Sequence, residues 1–278
     1  MREFRDKVAV ITGAASGIGR ALAEHCAQEG MKVVLAGINA ENLKQTQLAL
    51  EADGATVTSV QTDVSKLGDI EALAERTLST FGAVHLLVNN AGVAAGSNIW
   101  ESTWADWEWV IGVNLWGVIH GLKVFVPVML AQDTEGHIVN NASIAGILSY
   151  HPSAAYQVTK HGVVALSEQL HHSLVQQNAK IKASVLCPGW VHTQIMNSER
   201  NRPAELQNEP RNKPLSPQQE SVIREMYQAL QAGILPQQVA EHTFRAIRAE
   251  QFYILTHPEY NPMVQKRMED ILQQRNPA

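Results

Sequence analysis

Short, nearly unbroken apolar runs alternate along the chain with longer segments whose apolar residues recur every three or four positions. The runs Lys7–Ile11, Lys32–Ala36, Thr56–Gln61, His85–Asn89, His137–Asn141 and Lys182–Leu186 read as strands, and Phe252–Leu255 as a seventh. Between them, Ile18–Glu29, Ala40–Ala52, Asp69–Phe81, Trp104–Leu130 and Ala154–Gln177 have the length and spacing of helices. Several strands, such as Val8-Ala9-Val10-Ile11, are apolar at successive positions. That is the pattern of a parallel sheet covered on both faces. Alternating strands and helices with right-handed crossovers predict a doubly wound α/β sheet. Residues 1–278 read as one such domain.

One stretch interrupts the rhythm. Met196 to Pro217 is polar and rich in Pro, Asn, Arg and Glu. It reads as a mobile insertion over a site, part of a substrate loop spanning about 190–235, with a helix near Gln218–Leu230. A polar tail, 256–278, follows the last strand.

Composition narrows the class. A chain of 278 residues buries most of its apolar surface without disulfides or metals. The net charge is -5, and no basic stripe stands out, which argues against nucleic acid as a partner. Cys26 and Cys187 are too few for a disulfide framework and fit a reducing compartment. The charged start, Met1 to Lys7, runs straight into a strand and gives no signal-peptide pattern. No run approaches the ~18 apolar residues of a membrane span. The expectation is a cytoplasmic protein with no membrane partner. The histidines form no HExxH or similar spacing, so no metal is expected.

After the first strand comes Thr12-Gly13-Ala14-Ala15-Ser16-Gly17-Ile18-Gly19-Arg20, then a helix. Glycines let the backbone turn sharply and approach a ligand. The helix N-terminus offers free N–H groups and a positive dipole end to a pyrophosphate. The spacing is TGxxxGxG rather than GxGxxG, so the loop alone also fits a tight turn without a ligand.

Further motifs follow in order: Asn89-Asn90-Ala91-Gly92, Asn114, Ser143, Tyr156-x-x-x-Lys160 and Pro188-Gly189. From about residue 5 to about residue 195 the chain resembles the short-chain dehydrogenase/reductase family in its single-domain, Rossmann-type form. The resemblance implies a seven-stranded parallel sheet, a nicotinamide cofactor at the strands' carboxyl ends, and Asn114, Ser143, Tyr156 and Lys160 as the catalytic set. Asn114 resembles the residue whose backbone carbonyl holds a water in a proton relay toward Lys160. Cofactor contacts are implied at Gly13, Ser16, Gly17, Ile18 and Gly19; at Gly37, Ile38 and Asn39; at Asp63 and Val64 near the adenine; at Asn90, Ala91 and Gly92; at Tyr156 and Lys160; and at Pro188, Gly189 and Val191. Homodimers or homotetramers packed through the helices that contain Asn114 and Tyr156 are implied as well.

The chemistry of these residues is consistent with that resemblance. Tyr156 and Lys160 lie on one helix face. A phenol with pKa near 10 is a poor base at neutral pH. A neighbouring ammonium and a positive nicotinamide ring favour the phenolate. Tyr156 then takes the hydroxyl proton in oxidation and returns it in reduction. Ser143, at a strand end, can hold the substrate oxygen as charge develops there. The expected reaction is hydride transfer between NAD(P)(H) and an alcohol/ketone pair. A cofactor-binding regulator without turnover, or an epimerase or dehydratase using bound cofactor, are the alternatives.

Neither determinant of cofactor choice is present. Gly37 stands where an acid would bind the adenosine ribose, and Ile38 where an arginine would bind a 2′-phosphate. With no carboxylate to repel that phosphate, and with Arg20, Asn39 and Lys44 nearby, the reading leans to NADP over NAD. Asp63 also reads as a helix cap. Val93, Ala145, Ile147, Tyr150, Trp190 and Met196, with Ser143, are the candidate substrate contacts. Their mostly apolar character favours a hydrophobic or aromatic small molecule.

Overall fold

The structure is a computed structural model, and it describes residues 1–149, 152–209 and 216–277. Tyr150 lies outside these residues.

Seven parallel strands form one sheet: β1 (Val8–Thr12), β2 (Lys32–Gly37), β3 (Val57–Gln61), β4 (Leu86–Asn89), β5 (Gly136–Asn141), β6 (Ile181–Cys187) and β7 (Tyr253–Leu255). Their order is β3-β2-β1-β4-β5-β6-β7. The predicted strands are all present, with ends shifted by a residue or so.

The alternation along each strand divides the core in two. Ala9, Ile11, Val33, Leu35, Leu86 and Val88 face α1 (Gly17–Gln28), α2 (Ala40–Ala52) and α8 (Pro236–Arg248). Val8, Val10, Val34, Ala36 and Leu87 face α3 (Leu67–Phe81), α5 (Gly117–Ala131) and α6 (Ala154–Gln176). Both faces are covered, as parallel pairing requires. The family-type fold expected from the motifs is therefore present.

The long helix predicted over Trp104–Leu130 is not uniform. It comprises α4 (Trp104–Ile111), a wider π turn at Gly112–Trp116, and α5. A single π turn inside a helix often marks a functional site, and this one carries Asn114. Thr103 and Asp106 close a capping box at the start of α4.

The connections after β6 hold short turns at Ile195–Asn201 and Ala204–Leu206, then α7 (Pro217–Ala232). The insertion is anchored to the fold at Arg202 and Asn208. Buried Arg202 donates to Asp106 Oδ1 at 2.8 Å and to Leu206 O at 2.6 Å. Its guanidinium also lies 5.0 Å from the Trp109 ring centroid. Asn208 donates to the same Asp106 oxygen at 2.8 Å. Arg202 is thus buried and paired, while Glu199, Arg200, Glu205, Gln207 and Asn208 are exposed, as the polar composition suggests. The tail forms α9 (Asn261–Leu272).

The strand order reverses at β1, which pairs with both β2 and β4. In open parallel sheets a crevice forms at this point, beyond the carboxyl ends of the strands.

Helix α5 presses unusually close to the sheet there. A Cβ on Gly121 would lie 2.2 Å from Asn89 Oδ1. Alanine favours a helix over glycine by about 1 kcal/mol, whereas overpacking costs about 1–3 kcal/mol. Gly121→Ala is therefore expected to destabilise the fold by up to about 2 kcal/mol net, read as a lower midpoint in urea unfolding. A raised midpoint would show that α5 can lift away freely.

Candidate active site

The glycine loop forms the floor of the crevice. Gly13 and Gly17 have φ of 66° and 54°, a region that side chains with a Cβ rarely adopt. Gly19 is ordinary in φ, but a Cβ there would meet Gly13 O at 2.3 Å. It therefore packs beneath the loop and does not line the cavity. Ser16 is the N-cap of α1, makes no side-chain capping bond, and the first turn holds no acidic residue. The N–H groups of that turn stay available to an anion. These features fit a dinucleotide pyrophosphate.

A hydrogen-bonded path ties this floor to the catalytic side. Thr12 Oγ1 accepts from Asn90 N at 2.9 Å and Ala91 N at 3.0 Å. Asn90 Nδ2 donates to Thr12 O at 2.9 Å, and Asn141 Nδ2 donates to Asn90 Oδ1 at 2.8 Å. Lys160 Nζ donates to Asn141 O at 2.8 Å. Asn114 braces the wall from behind. Its Oδ1 accepts from Val93 N at 2.8 Å, and its Nδ2 donates to Val93 O at 2.9 Å. Fully buried, Asn114 does not line the cavity.

Tyr156, Ser143 and Lys160 converge as expected. The Tyr156 hydroxyl is hydrogen-bonded to the Ser143 side chain. Lys160 Nζ lies 5.5 Å from the Tyr156 ring centroid. Ser143 Oγ accepts from Ala145 N at 3.1 Å, which fixes it at the end of β5.

The electrostatics differ from the expectation in one respect. Burial raises the Tyr156 pKa above its ordinary value, and the Ser143 hydrogen bond only opposes this. Burial lowers Lys160 to about 8. The ammonium alone does not pull the phenol down, because desolvation acts on both groups.

These residues border one cavity of about 540 Å³. Of the residues expected at the cofactor, Gly13, Ser16, Gly17, Ile18, Gly37, Ile38, Asn39, Asp63, Val64, Asn90, Ala91, Gly92, Pro188, Gly189 and Val191 all line it. Of those expected at the substrate, Val93, Ser143, Ala145, Trp190 and Met196 do so. Ile147 does not; it packs against the core on the α6 side. Arg20 is paired with Glu24 at 2.8 Å, and neither Arg20 nor Lys44 lines the cavity. Asp63 does not cap a helix. Its Oδ1 accepts from Ser65 N at 3.0 Å and Ser65 Oγ at 2.7 Å, while Lys66 is the N-cap of α3.

Sequence reasoning missed Leu148, Trp109, Leu206, Met226, Leu230 and Tyr260, which also line the cavity. Most come from the insertion and the helices around it, and Tyr260 from the supposed tail. Their approach depends on long-range packing that leaves no local pattern. No group of His, Cys, Asp and Glu among the described residues could hold a metal. Burial pushes the Cys187 thiol up to about 12, in keeping with an inert strand residue.

Residues 7–204 match the family described as short chain dehydrogenase. The chain is 36% identical over 277 residues to a CLA biosynthesis dehydrogenase/reductase of Lactiplantibacillus plantarum, covering 98% of this chain and 95% of that protein. It is 32% identical over 273 residues to a C alpha-dehydrogenase of Sphingobium, covering 98% and 87%. A short chain dehydrogenase/reductase from Burkholderia phymatum, solved in complex with NAD, superposes with a TM-score of 0.95 at 48% identity, covering 100% of this chain and 98% of that one.

Lys160 gives a pH test. Its folded pKa, about 8, lies below the ordinary 10.5, so between these values the unfolded chain binds more protons than the folded one. Stability therefore rises with pH through that window. The penalty is fully present below about 8 and amounts to roughly 3 kcal/mol. Lys160→Met removes it but leaves the Asn141 carbonyl without its donor, at a cost of about 1–3 kcal/mol. Urea unfolding of the cofactor-free proteins at pH 7 should show the variant within about 2 kcal/mol of wild type, or more stable. Wild type should then gain on the variant by about 2–3 kcal/mol toward pH 10. A constant difference across that range would mean the lysine is not desolvated.

Proposed function

The chain belongs to the short-chain dehydrogenase/reductase family and is an NAD(P)-dependent oxidoreductase acting on CH–OH groups; from that premise we propose that it interconverts a hydrophobic or aromatic secondary alcohol and its ketone, using NAD(H). The observation that carries this reading is the hydrogen-bonded Ser143–Tyr156 pair, beside Lys160, in a cavity walled by Trp109, Leu148, Trp190, Met196, Leu206 and Met226. Apolar walls with a few convergent polar groups favour an apolar ligand oriented by its oxygen.

The bound dinucleotide supplies the hydride acceptor or donor and, when oxidised, a positive charge beside the phenol. The other roles belong to the chain. Ser143 Oγ, which is hydrogen-bonded to the phenol, holds the substrate oxygen. Tyr156 Oη accepts the hydroxyl proton during oxidation and returns it during reduction. Lys160 Nζ, held by Asn141 O, stabilises the phenolate through space. Asn114, wedged against Val93, fixes the wall, and its backbone carbonyl would hold a water in a proton relay toward Lys160. The apolar enclosure excludes water from the reacting carbon.

The NAD(H) assignment departs from the lean to NADP. That lean rested on the missing carboxylate at Gly37 and on Arg20, Asn39 and Lys44 as possible attractors, but Arg20 is engaged by Glu24 and Lys44 lies outside the cavity. Asn39 accepts from Asn42 N at 2.9 Å as the cap of α2. A Cβ on Gly37 would meet only ordinary contacts, at 3.7 Å from Leu43. Neither Arg20 nor Lys44 thus offers a clamp for a phosphate, and the Burkholderia relative was solved with NAD.

The run Trp104–Ala131 is apolar and long enough, by composition, to cross a membrane. We read its exposed apolar side instead as a subunit interface, since Asn114, Gly121 and Phe125 pack inside the fold. With Trp116, Val158 and Val175 exposed on α6 and the helix before it, this supports a homodimer or homotetramer. The cytoplasm suits a cofactor-dependent enzyme whose two cysteines are both free and buried.

The test is absorbance at 340 nm with a panel of aryl and alkyl carbinols and their ketones, each with NAD(H) and NADP(H). Turnover should favour apolar substrates and NAD(H), and Tyr156→Phe should lower kcat by about 100- to 10,000-fold with the fold intact. A polar polyol as the best substrate, or an active Tyr156→Phe enzyme, would overturn the reading.

A further inference from the structure

The turn Pro188–Val191 carries the cavity wall opposite the glycine loop, and it is tied to the catalytic serine. Pro188 O accepts from Ile144 N at 2.8 Å and from Ser143 Oγ at 3.5 Å. The position of that carbonyl therefore sets the position of the Ser143 end of β5.

His257, just beyond β7, grips the same turn. It is 6% exposed. Its Nδ1 lies 3.0 Å from Gly189 N and 2.7 Å from Thr256 Oγ1, and its Nε2 lies 2.9 Å from Trp190 O. The partners fix the tautomer. A carbonyl only accepts, so Nε2 carries the hydrogen, and Nδ1 accepts from the Gly189 N–H. Trp190 O also accepts from Ile234 N at 3.1 Å. The ring lies flat against the turn: a Cβ on Gly189 would lie 2.8 Å from His257 Cγ and 2.7 Å from Tyr260 Cε2. Gly189 is thus the residue that lets the histidine approach the backbone at all.

We propose that His257 is a positioning residue for the dinucleotide and for Ser143: it clamps the Gly189 N–H and the Trp190 carbonyl, and so holds the Pro188–Val191 wall in register with the catalytic side chains. It does not line the cavity. Two consecutive backbone groups, a donor and an acceptor, are held by the two nitrogens of one rigid ring. No single aliphatic or carboxylate side chain supplies both functions at that spacing. The segment after β7, which the polar composition of 256–278 presented as a tail, becomes part of the site through this residue and through Tyr260.

The clamp rests on the proposed dinucleotide function, and its test separates the two. NADH binding is titrated by fluorescence on wild type, His257→Phe, His257→Asn and His257→Gln, with thermal unfolding on the same samples. His257→Phe keeps the ring volume and removes both hydrogen bonds. It should weaken NADH at least tenfold, and with any carbinol that wild type oxidises it should lower kcat by more than it raises KM. His257→Asn keeps an acceptor for Gly189 N, as Nδ1 does, and should restore NADH binding to within about threefold, which is under 1 kcal/mol. NADH affinity unchanged in His257→Phe would overturn the clamp. Should the phenylalanine variant fail to fold, the other two decide: Asn must bind NADH more tightly than Gln, and equal affinity would overturn the proposal. A wild-type protein that binds no dinucleotide would overturn the function beneath it instead.

Discussion

Lys160 is a cation held almost out of water, with the Asn141 carbonyl as its hydrogen-bond acceptor. Burying an ammonium is costly unless its surroundings replace its hydration. Here the replacement is partial, and burial leaves the lysine with a pKa of about 8. The rest of the site is organised around keeping this group where it is. Asn141 is fixed to Asn90, Asn90 to Thr12, and Thr12 lies at the end of β1. Three parallel strands that are far apart in sequence are thereby locked at their carboxyl ends. The same few bonds set the distance from the glycine loop to the Tyr156 helix. A chain optimised only for stability would place an apolar residue at 160; on the proposed reading, the lysine there trades folding energy for reactivity.

Parallel pairing makes such a site possible. All seven strands run the same way, so every strand end with its following loop emerges on one edge of the sheet. Short side-chain links between neighbouring ends can then assemble a constellation that no single segment contains. On one side runs the Thr12–Asn90–Asn141–Lys160 path. On the other, Ser143 is joined through Pro188 and Gly189 to His257. Tyr156 stands between the two, bonded to Ser143 and within 5.5 Å of the lysine, measured from its ring centroid. The first path begins at β1, where the strand order reverses, and the second ends beyond β7 at the sheet's edge.

What could be read from the residues follows from this division. The strands were legible because burial on both faces demands unbroken apolar runs, and Val8–Ile11 is one. The glycine loop and the Tyr156/Lys160 pair were legible because their geometry is local: a turn needing positive φ, and two residues on one helix face. Ile147 was misplaced because its neighbours Ile144 and Ala145 lie on the cavity side of a tight turn while it points to the core. Most polar residues of the insertion are exposed, as its composition suggests; what could not be read was that Arg202 is buried against Asp106, some hundred residues away, with Asn208 bonded to the same carboxylate. Tyr260 and His257 were invisible for the same reason. Their partners, Gly189 and Trp190, are about seventy residues away, and nothing in the polar composition of the tail marks a contact of that range.

The opposed shifts of Tyr156 and Lys160 give the site a further property. Burial favours the neutral form of each, so the phenol holds its proton more firmly than it would in water, and the lysine holds its own less firmly. The two shifts share one cause, the removal of water from both groups. The Ser143 hydrogen bond acts on the phenol in the opposite direction. On the proposed reading, positive charge placed beside the phenol would favour its ionised form, and would act more strongly there than in water.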